Sequence, residues 1–421
     1  MRVAPKSMAV LVQLLSTPGE MVLKEDLLRR VWPGDEVGEQ VLTTAVYNLR
    51  RAFAATADAR APLDTVPRRG YVFSAEVESL AARPPLPGAR TEVMDPGARA
   101  SHQRADLLLA GPRFDQLDEG IRLLEAATRL WPDFAPAHAD LARGHFVLAS
   151  WGRAPGGRLL ADAAAAALRA FELDPRLTAA RVWCAMTHLA ARWRAAEAAA
   201  AIEGALVDAP DDAMARDALA HCLAASGRLE PAIAEAQRAL ALDPLAPALH
   251  TALGFFCRLA HRLDDAEARL RRALEISPGW SIAHLELGRV LLARGDARSA
   301  AREIGRAEPS WGRFLSWASS AERGAAARVR RQLDLWLAGG DGTYVAPYWL
   351  AERCVWAGRL DAAVAQLERA LSEQQVQLLY VSLEPTFLPL RSVPRFRRLL
   401  AEIRRPATDL RRPPPAGAAS L

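Results

Sequence analysis

The segment 39–54 carries side chains that could read the edges of base pairs. Helical periodicity predicts a helix whose apolar face consists of Leu42, Val46, Leu49 and Phe53. The opposite face holds a guanidinium, two amides, hydroxyls and one aromatic ring, contributed by Gln40, Thr44, Tyr47, Asn48 and Arg51 with Thr43 and Arg50 beside them. Arginine pairs with guanine, asparagine or glutamine with adenine, and a threonine methyl meets the thymine methyl. Many solvated helix faces look alike, but this one has the inventory of a helix in the major groove of DNA.

The neighbouring segments form a frame that could position such a helix. Apolar periodicity predicts two further helices at 5–16 and 24–32, each ended by proline and glycine. Residues 63–73 alternate apolar and polar side chains, which predicts a β-hairpin with Tyr71 in its core. The order of three helices and a hairpin is typical of a winged helix-turn-helix. In that fold the arginines of the wing lie against the minor groove or the phosphates.

The motifs of this region carry a specific resemblance. The stretch PGEMVLKEDLLRRVWPG…VLTTAVYNLRRAF…LDTVPRRGYVF resembles the C-terminal effector domain of OmpR/PhoB-type response regulators. It is most similar to the variant that CadC-like and HilA-like one-component transcriptional regulators carry at their N-terminus. The resemblance covers about residues 1–75 and implies that helix 39–54 enters the major groove while the hairpin contacts the minor groove.

The same resemblance assigns DNA-binding residues. It implies that Trp32 and the end of the third helix touch phosphates. The candidate DNA-binding residues are Trp32, Gln40, Thr43, Thr44, Tyr47, Asn48, Arg50, Arg51, Thr65, Arg68 and Arg69.

Three of these residues have structural alternatives. Trp32 could belong to the core instead of the interface. Arg50 could pair with Glu39 or Asp35 instead of a phosphate, and Tyr47 could pack on the wing.

The chain also departs from the family. Leu23 stands where the family usually has serine or threonine as the N-cap of the second helix, a loss of roughly 1 kcal/mol. Tyr47 and Asn48 often have basic counterparts. The family carries a small antiparallel sheet before its first helix, and this chain begins almost at that helix. We therefore expect either a true start upstream of Met1 or a trimmed domain without the N-terminal sheet.

The longer remainder repeats itself. Proline-containing turns recur about every 34 residues, with two predicted helices between them, which is the signature of tetratricopeptide repeats. Ala220, Gly254 and Gly288 occupy the same place in successive first helices, where we expect close helix packing. Such units stack into an α-solenoid with a concave groove that accepts peptides or helices.

The expected fold is therefore mainly α, with a winged helix followed by a tetratricopeptide-like solenoid. Residues 83–100 are rich in proline and glycine and predict a linker. The motif FLPLRSVPRFRRLL is expected to cap the solenoid, although its basic character could instead touch DNA or an acidic partner. The expected segments are a DNA-binding domain at 1–78, a linker at 79–105, a solenoid at 106–404 and a disordered tail at 405–421.

Composition argues against other classes of protein. The formal net charge is +5, and the four cysteines form no C-x-x-C pair, so we expect buried thiols in a reducing cytoplasm. The eight histidines are scattered without ligand spacing, and no P-loop, G-x-S-x-G or kinase signature occurs. No apolar run is long enough for a membrane span. We expect no catalysis, no cofactor, no metal and no membrane contact.

These patterns favour a one-component transcriptional regulator. Its partners would be double-stranded DNA and a protein or peptide in the solenoid groove, with self-association as a further option. The alternative is a tetratricopeptide scaffold whose winged helix has degenerated or binds protein. A third option is a repeat protein that regulates an enzyme without contacting DNA.

Overall fold

The chain folds into two compact units, Met1–Glu92 and Val93–Leu421. The computed structural model describes residues 5–15, 17, 19–31, 39–54, 62–66, 69–75, 95–109, 114–152, 155–307, 324–339 and 344–404. None of the helices in these ranges is long and apolar enough to cross a membrane.

The first unit contains three helices and a small sheet. The predicted helices are confirmed as α1 (Pro5–Leu15), α2 (Lys24–Val31) and α3 (Glu39–Ala54). The predicted hairpin is confirmed as β2 (Leu63–Val66) and β3 (Gly70–Phe73). A strand that the sequence did not predict, β1 (Met21–Leu23), makes the sheet three-stranded in the order β1-β3-β2.

Antiparallel pairing of β1 with β3 ties the start of α2 to the hairpin. Val22 faces Tyr71 in this register. The backbone N–H of Lys24 donates to the carbonyl oxygen of Arg69 over 3.0 Å. A side chain at Gly70 would place its Cβ 2.1 Å from the carbonyl oxygen of Val22, so only glycine fits there.

One apolar core holds this unit together. Leu14 of α1, Leu27 of α2 and Leu42 of α3 are fully buried in it. Tyr71 is only 4% exposed in the same core, so its predicted place in the core of the hairpin is confirmed.

The second unit is a stack of helix pairs. Its first six pairs are α4 (Pro96–Leu109) with α5 (Phe114–Leu130), α6 (Ala135–Ser150) with α7 (Gly156–Leu173), α8 (Thr178–Arg192) with α9 (Ala195–Asp208), α10 (Ala213–Ala225) with α11 (Leu229–Leu242), α12 (Pro247–Leu259) with α13 (Leu263–Ile276), and α14 (Ser281–Ala293) with α15 (Ala297–Ala307). Partners within a pair pack on each other, and so do the first helices of successive pairs from α4 to α14.

The helix α4 corrects the expected linker at 79–105. The helix begins at Pro96, inside that segment, and packs on α5. Pro96 stands in the first turn, where the missing N–H is tolerated. The carboxylate of Asp95 accepts the backbone N–H of Ala98 over 2.9 Å and caps the helix. The proline that indicated a linker therefore starts a helix, while residues 79–94 lie outside the described residues.

Close packing within the pairs depends on small residues, as predicted. A Cβ on Gly254 would lie 2.7 Å from Leu270 Cγ, and one on Gly288 would lie 2.4 Å from Ile304 Cγ1. Ala220 at the equivalent position is fully buried.

Three histidines of the first helices stabilise the proline turns. Each Nε2 donates to a proline carbonyl six residues earlier, at 2.8, 3.1 and 2.9 Å for His138–Pro132, His250–Pro244 and His284–Pro278. Arg216 donates in the same way to Pro210. These residues therefore have a structural role in the four helix pairs that carry them.

The C-terminal lobe follows the stack. It comprises α16 (Ala325–Leu337), α17 (Pro347–Trp356), α18 (Leu360–Ser372), two 3-10 helices (Val376–Tyr380 and Pro385–Ser392) and α19 (Pro394–Arg404). Phe387, Leu390 and Phe396 from the expected cap motif are buried in a separate core with α17 and α18. The expected tail, 405–421, lies outside the described residues.

Candidate nucleic-acid interface

The outward face of α3 presents a compact set of polar side chains. Gln40, Thr43, Thr44 and Tyr47 are exposed, whereas Leu42, Val46 and Leu49 are buried in the core. The helix therefore separates a buried side from a hydrogen-bonding side, as its periodicity predicted.

Two of these side chains differ in how freely they can reach a ligand. The hydroxyl of Thr44 donates to the carbonyl oxygen of Gln40 over 2.8 Å, so it is already engaged by the backbone of its own helix. Tyr47 is 62% exposed, so packing on the wing covers little of it. A threonine methyl and a tyrosine ring can both make apolar contacts with thymine.

The side chain of Arg50 is hydrogen-bonded to the wing. Its Nε and Nη2 donate to the carbonyl oxygen of Leu63 over 3.1 and 2.8 Å, and Nη2 also donates to Thr65 Oγ1 over 2.6 Å. Leu63 and Thr65 belong to β2, the first strand of the wing. The guanidinium therefore links the wing to α3, and a phosphate contact of Arg50 stays a prediction.

The wing presents one described arginine. Arg69 is exposed, and its backbone N–H donates to the carbonyl oxygen of Val66 over 3.1 Å, which closes the turn between β2 and β3. Thr65 is exposed as well, although its hydroxyl is held by Arg50. Arg69 thus places a positive charge just before β3, the strand that pairs with β1.

Several candidate residues cannot be placed from the described part of the chain. Trp32 and Arg68 lie outside the described residues. Asn48 and Arg51 belong to α3, but their side chains are not described.

Sequence reasoning missed two features of this site. The strand β1 has three residues, too few for an alternating pattern to be recognised. The contact of Arg50 with β2 joins positions 13 and 15 residues apart, and no local periodicity reports such a contact. The β-branched and apolar run Met21–Leu23 beside a turn was the signal available for the strand.

Two observations concern the histidine, cysteine and acidic side chains in the described part of the chain. Among the described residues, no group of three or more histidine, cysteine, aspartate or glutamate side chains could hold a metal ion. Burial raises the pKa of Cys222 to about 12 and the pKa of Cys354 to about 11, which keeps both thiols protonated and unreactive.

Known proteins resemble the two units separately. Residues 1–73 match the family model described as "Transcriptional regulatory protein, C terminal". The transcriptional regulator HilA of Salmonella typhimurium is 38% identical over 92 residues, which cover 22% of this chain and 16% of that protein. HilA of Salmonella typhi is 37% identical over the same length. The match thus spans less than a fifth of the length of these relatives.

Among solved structures, a tetratricopeptide protein of Thermus thermophilus covers 46% of this chain at 21% identity and a TM-score of 0.39. The type IV pilus biogenesis factor PilW covers 50% at 20% identity and a TM-score of 0.36. The first match includes 99% of the Thermus chain, and the second includes 91% of the PilW chain.

Three observations agree for the first unit: its sequence motifs, its three helices with a wing, and the family match at residues 1–73. For the second unit, the repeat period of the sequence agrees with the stacked helix pairs. The N-terminal unit is therefore an OmpR/PhoB-type winged-helix domain, similar to that of HilA, and it precedes an α-solenoid of tetratricopeptide-like helix pairs.

Proposed function

We propose that this chain is a transcriptional regulator whose winged helix binds double-stranded DNA with α3 in the major groove and the wing in the minor groove. The observation that carries the proposal is the exposed polar face of α3, with Gln40, Thr43, Thr44 and Tyr47 opposite the buried apolar side. The similarity of a 92-residue stretch of the chain to a transcriptional regulator supports it.

The side chains would divide the work of recognition by chemistry. Gln40 and Asn48 suit adenine, Arg51 suits guanine, and the threonine methyls suit thymine. Trp32, Arg68 and Arg69 would meet the sugar-phosphate backbone or the minor groove, and so fix the register of α3. Arg50 would act indirectly, by holding the wing at a fixed distance from α3.

The helix-pair unit would bind a protein or peptide, or a second copy of the chain, and so set the occupancy of the DNA. Stacked helix pairs expose extended concave surfaces of the kind that bind partners. A regulator of chromosomal genes would act in the bacterial cytoplasm.

In vitro selection from a pool of random duplexes tests the proposal. The full chain should enrich one sequence motif, and Gln40→Ala and Tyr47→Ala should each relax or change the preferred bases at a few positions of it. Glu368→Gln, an exposed carboxylate of α18 far along the chain, should leave the motif unchanged. Enrichment of no motif by the folded full chain would favour the alternative, a repeat scaffold with a degenerate winged helix.

A further inference from the structure

The stack has an inner face that is already occupied. The first helices of successive pairs contact one another along α6, α8, α10, α12 and α14, so they line the inside of the curve. The 3-10 helix Val376–Tyr380 packs on both α6 and α10. We call residues 376–384 the clasp segment.

The centre of the clasp segment is an aromatic contact. The hydroxyl of Tyr380 and Nδ1 of His221, on α10, share a hydrogen bond of 2.7 Å. The ring of Tyr380 meets the ring of Phe255, on α12, edge to face at a centroid distance of 5.0 Å. Val376 and Leu379 are buried in the same apolar cluster as the inner helices.

The end of the clasp segment is an ionic contact. Glu384 accepts two hydrogen bonds from Arg258 of α12, at 2.9 and 3.0 Å, in a bidentate arrangement. Arg258 is 2% exposed and also donates to Glu286 of α14 over 2.8 Å. Burial by itself would raise the pKa of Glu384, but Arg258 and Arg289 outweigh it and hold that pKa at about 2, so the carboxylate stays charged.

Further contacts bring the C-terminal lobe across the stack. Arg289 of α14 donates to both oxygens of Glu352 on α17, at 3.1 and 3.0 Å. Gln377 donates to the carbonyl oxygen of Ser150 over 2.7 Å, and Trp349 donates to that of Trp151 over 3.0 Å. The lobe therefore bridges from the end of α6 to α14.

Buried charges lie on both sides of this interface. The stack contributes Arg258, Arg289 and Glu286, and the lobe contributes Glu352 and Glu384. Ionised groups regain full hydration when such an interface opens, which apolar groups cannot do, so the net stabilisation by buried ion pairs is small. The ion pairs therefore contribute little to holding the lobe on the stack.

We infer that the inner face is a peptide-recognition surface which the clasp segment occupies in cis, and that it takes partner peptides with a tyrosine four residues before a glutamate. Phe255 and His221 would receive the phenol, and Arg258 would receive the carboxylate, as they do for Tyr380 and Glu384. The inference rests on the proposed protein-binding role of the repeats and is independent of DNA binding.

A labelled peptide of residues 374–386 tests this assignment without DNA. In the full chain, Tyr380→Ala with Glu384→Gln weakens the cis occupant and leaves its receptor residues intact. Fluorescence anisotropy should show saturable binding of the peptide to this variant. The affinity of the peptide for the unsubstituted chain should be lower by a factor of about ten or more, because the clasp segment competes for the same surface. A peptide with the same two substitutions should not bind, and Glu368→Gln should behave like the unsubstituted chain.

Equal binding of the native and the substituted peptide to the folded variant would overturn the inference. Hydrogen exchange on the unsubstituted chain decides the matter even if the variant does not fold. Saturating native peptide should accelerate exchange of the amides at 376–384 at least several-fold, and unchanged exchange would refute displacement. Selection of a DNA motif by the same protein is a separate outcome, so the two proposals fail separately.

Discussion

At the scale of residues, Arg50 links recognition to architecture. Arg50→Ala removes the donors to Leu63 and Thr65, so we expect the free energy of unfolding of the N-terminal unit to fall by roughly 1–3 kcal/mol. DNA affinity should fall as well, because the wing loses its fixed place. Denaturant unfolding and fluorescence anisotropy on DNA measure the two effects.

Arg69→Ala is the matched control on the wing. Arg69 is exposed and bonds through its backbone, so the substitution should leave unfolding within ±0.5 kcal/mol. The DNA affinity of this variant should fall. The salt dependence of its binding should become weaker by the equivalent of about one phosphate contact. Loss of stability in Arg69→Ala, or none in Arg50→Ala, would contradict these roles.

Gly288 tests the close packing of the helix pairs. Gly288→Ala places a methyl group 2.4 Å from Ile304 Cγ1, and we expect destabilisation by roughly 1–3 kcal/mol. Gly204→Ala is the control, because its Cβ meets only the end of Arg181 at 3.4 Å on an exposed helix; it should stabilise by up to about 1 kcal/mol. Thermal unfolding of both variants checks the prediction, and equal shifts would count against it.

The sequence predicted that Gln40, Thr44 and Tyr47 of α3 face outward, because a helix repeats its orientation every few residues and the apolar set marks the core. It could not predict that Arg50 turns to the wing. The partner of Arg50 depends on where β2 lies in space, which local periodicity does not report. An arginine is also equally suited to a phosphate contact and to a hydrogen bond within the domain, so the residue type does not distinguish them.

At the scale of elements, the helices with a clear apolar period were predictable, whereas the strand β1 and the helix α4 were not. The strand β1 exists because β3 offers it a partner, not because three residues favour extension on their own. The helix α4 was hidden because Pro96 reads as a breaker unless the preceding Asp95 is recognised as a cap.

The capping of α4 provides a prediction for this element. Asp95→Ala should destabilise the first turn of α4 by roughly 1 kcal/mol, because the backbone N–H of Ala98 loses its acceptor. Hydrogen exchange at 98–100 should accelerate several-fold, while exchange in α12 stays unchanged. Asp95→Asn retains an acceptor and should exchange like the unsubstituted chain, and acceleration in both variants would refute the capping role.

At the scale of the whole molecule, stability should depend on pH through the clasp. Burial lowers the pKa of His221, although Asp217 on the same helix partly opposes this, so the folded state favours the neutral ring that bonds Tyr380. Unfolded histidine binds protons near pH 6.5, so stability is present above that pH and is lost as the pH falls through it. The raised pKa of Asp217, caused by burial, acts in the opposite sense at more acidic pH.

We therefore expect the denaturation midpoint of the full chain to fall between pH 7.5 and 5.5. His221→Gln should be less stable at pH 7.5 and should lose less on acidification. Other buried histidines, such as His250, leave a residual slope. An identical slope in His221→Gln would show that the clasp does not sense protons.

The central claim is that α3 and the wing read DNA, and fluorescence anisotropy of the full chain on a labelled duplex from its own upstream region tests it most directly. The titration is run with excess non-specific DNA, at two salt concentrations, and with Arg51→Ala combined with Arg68→Ala. The account predicts specific binding that weakens with salt and is lost in the double variant while folding is retained. Equal affinity for specific and non-specific duplexes, or no binding by the folded chain, would contradict it and leave the repeat unit as the functional surface.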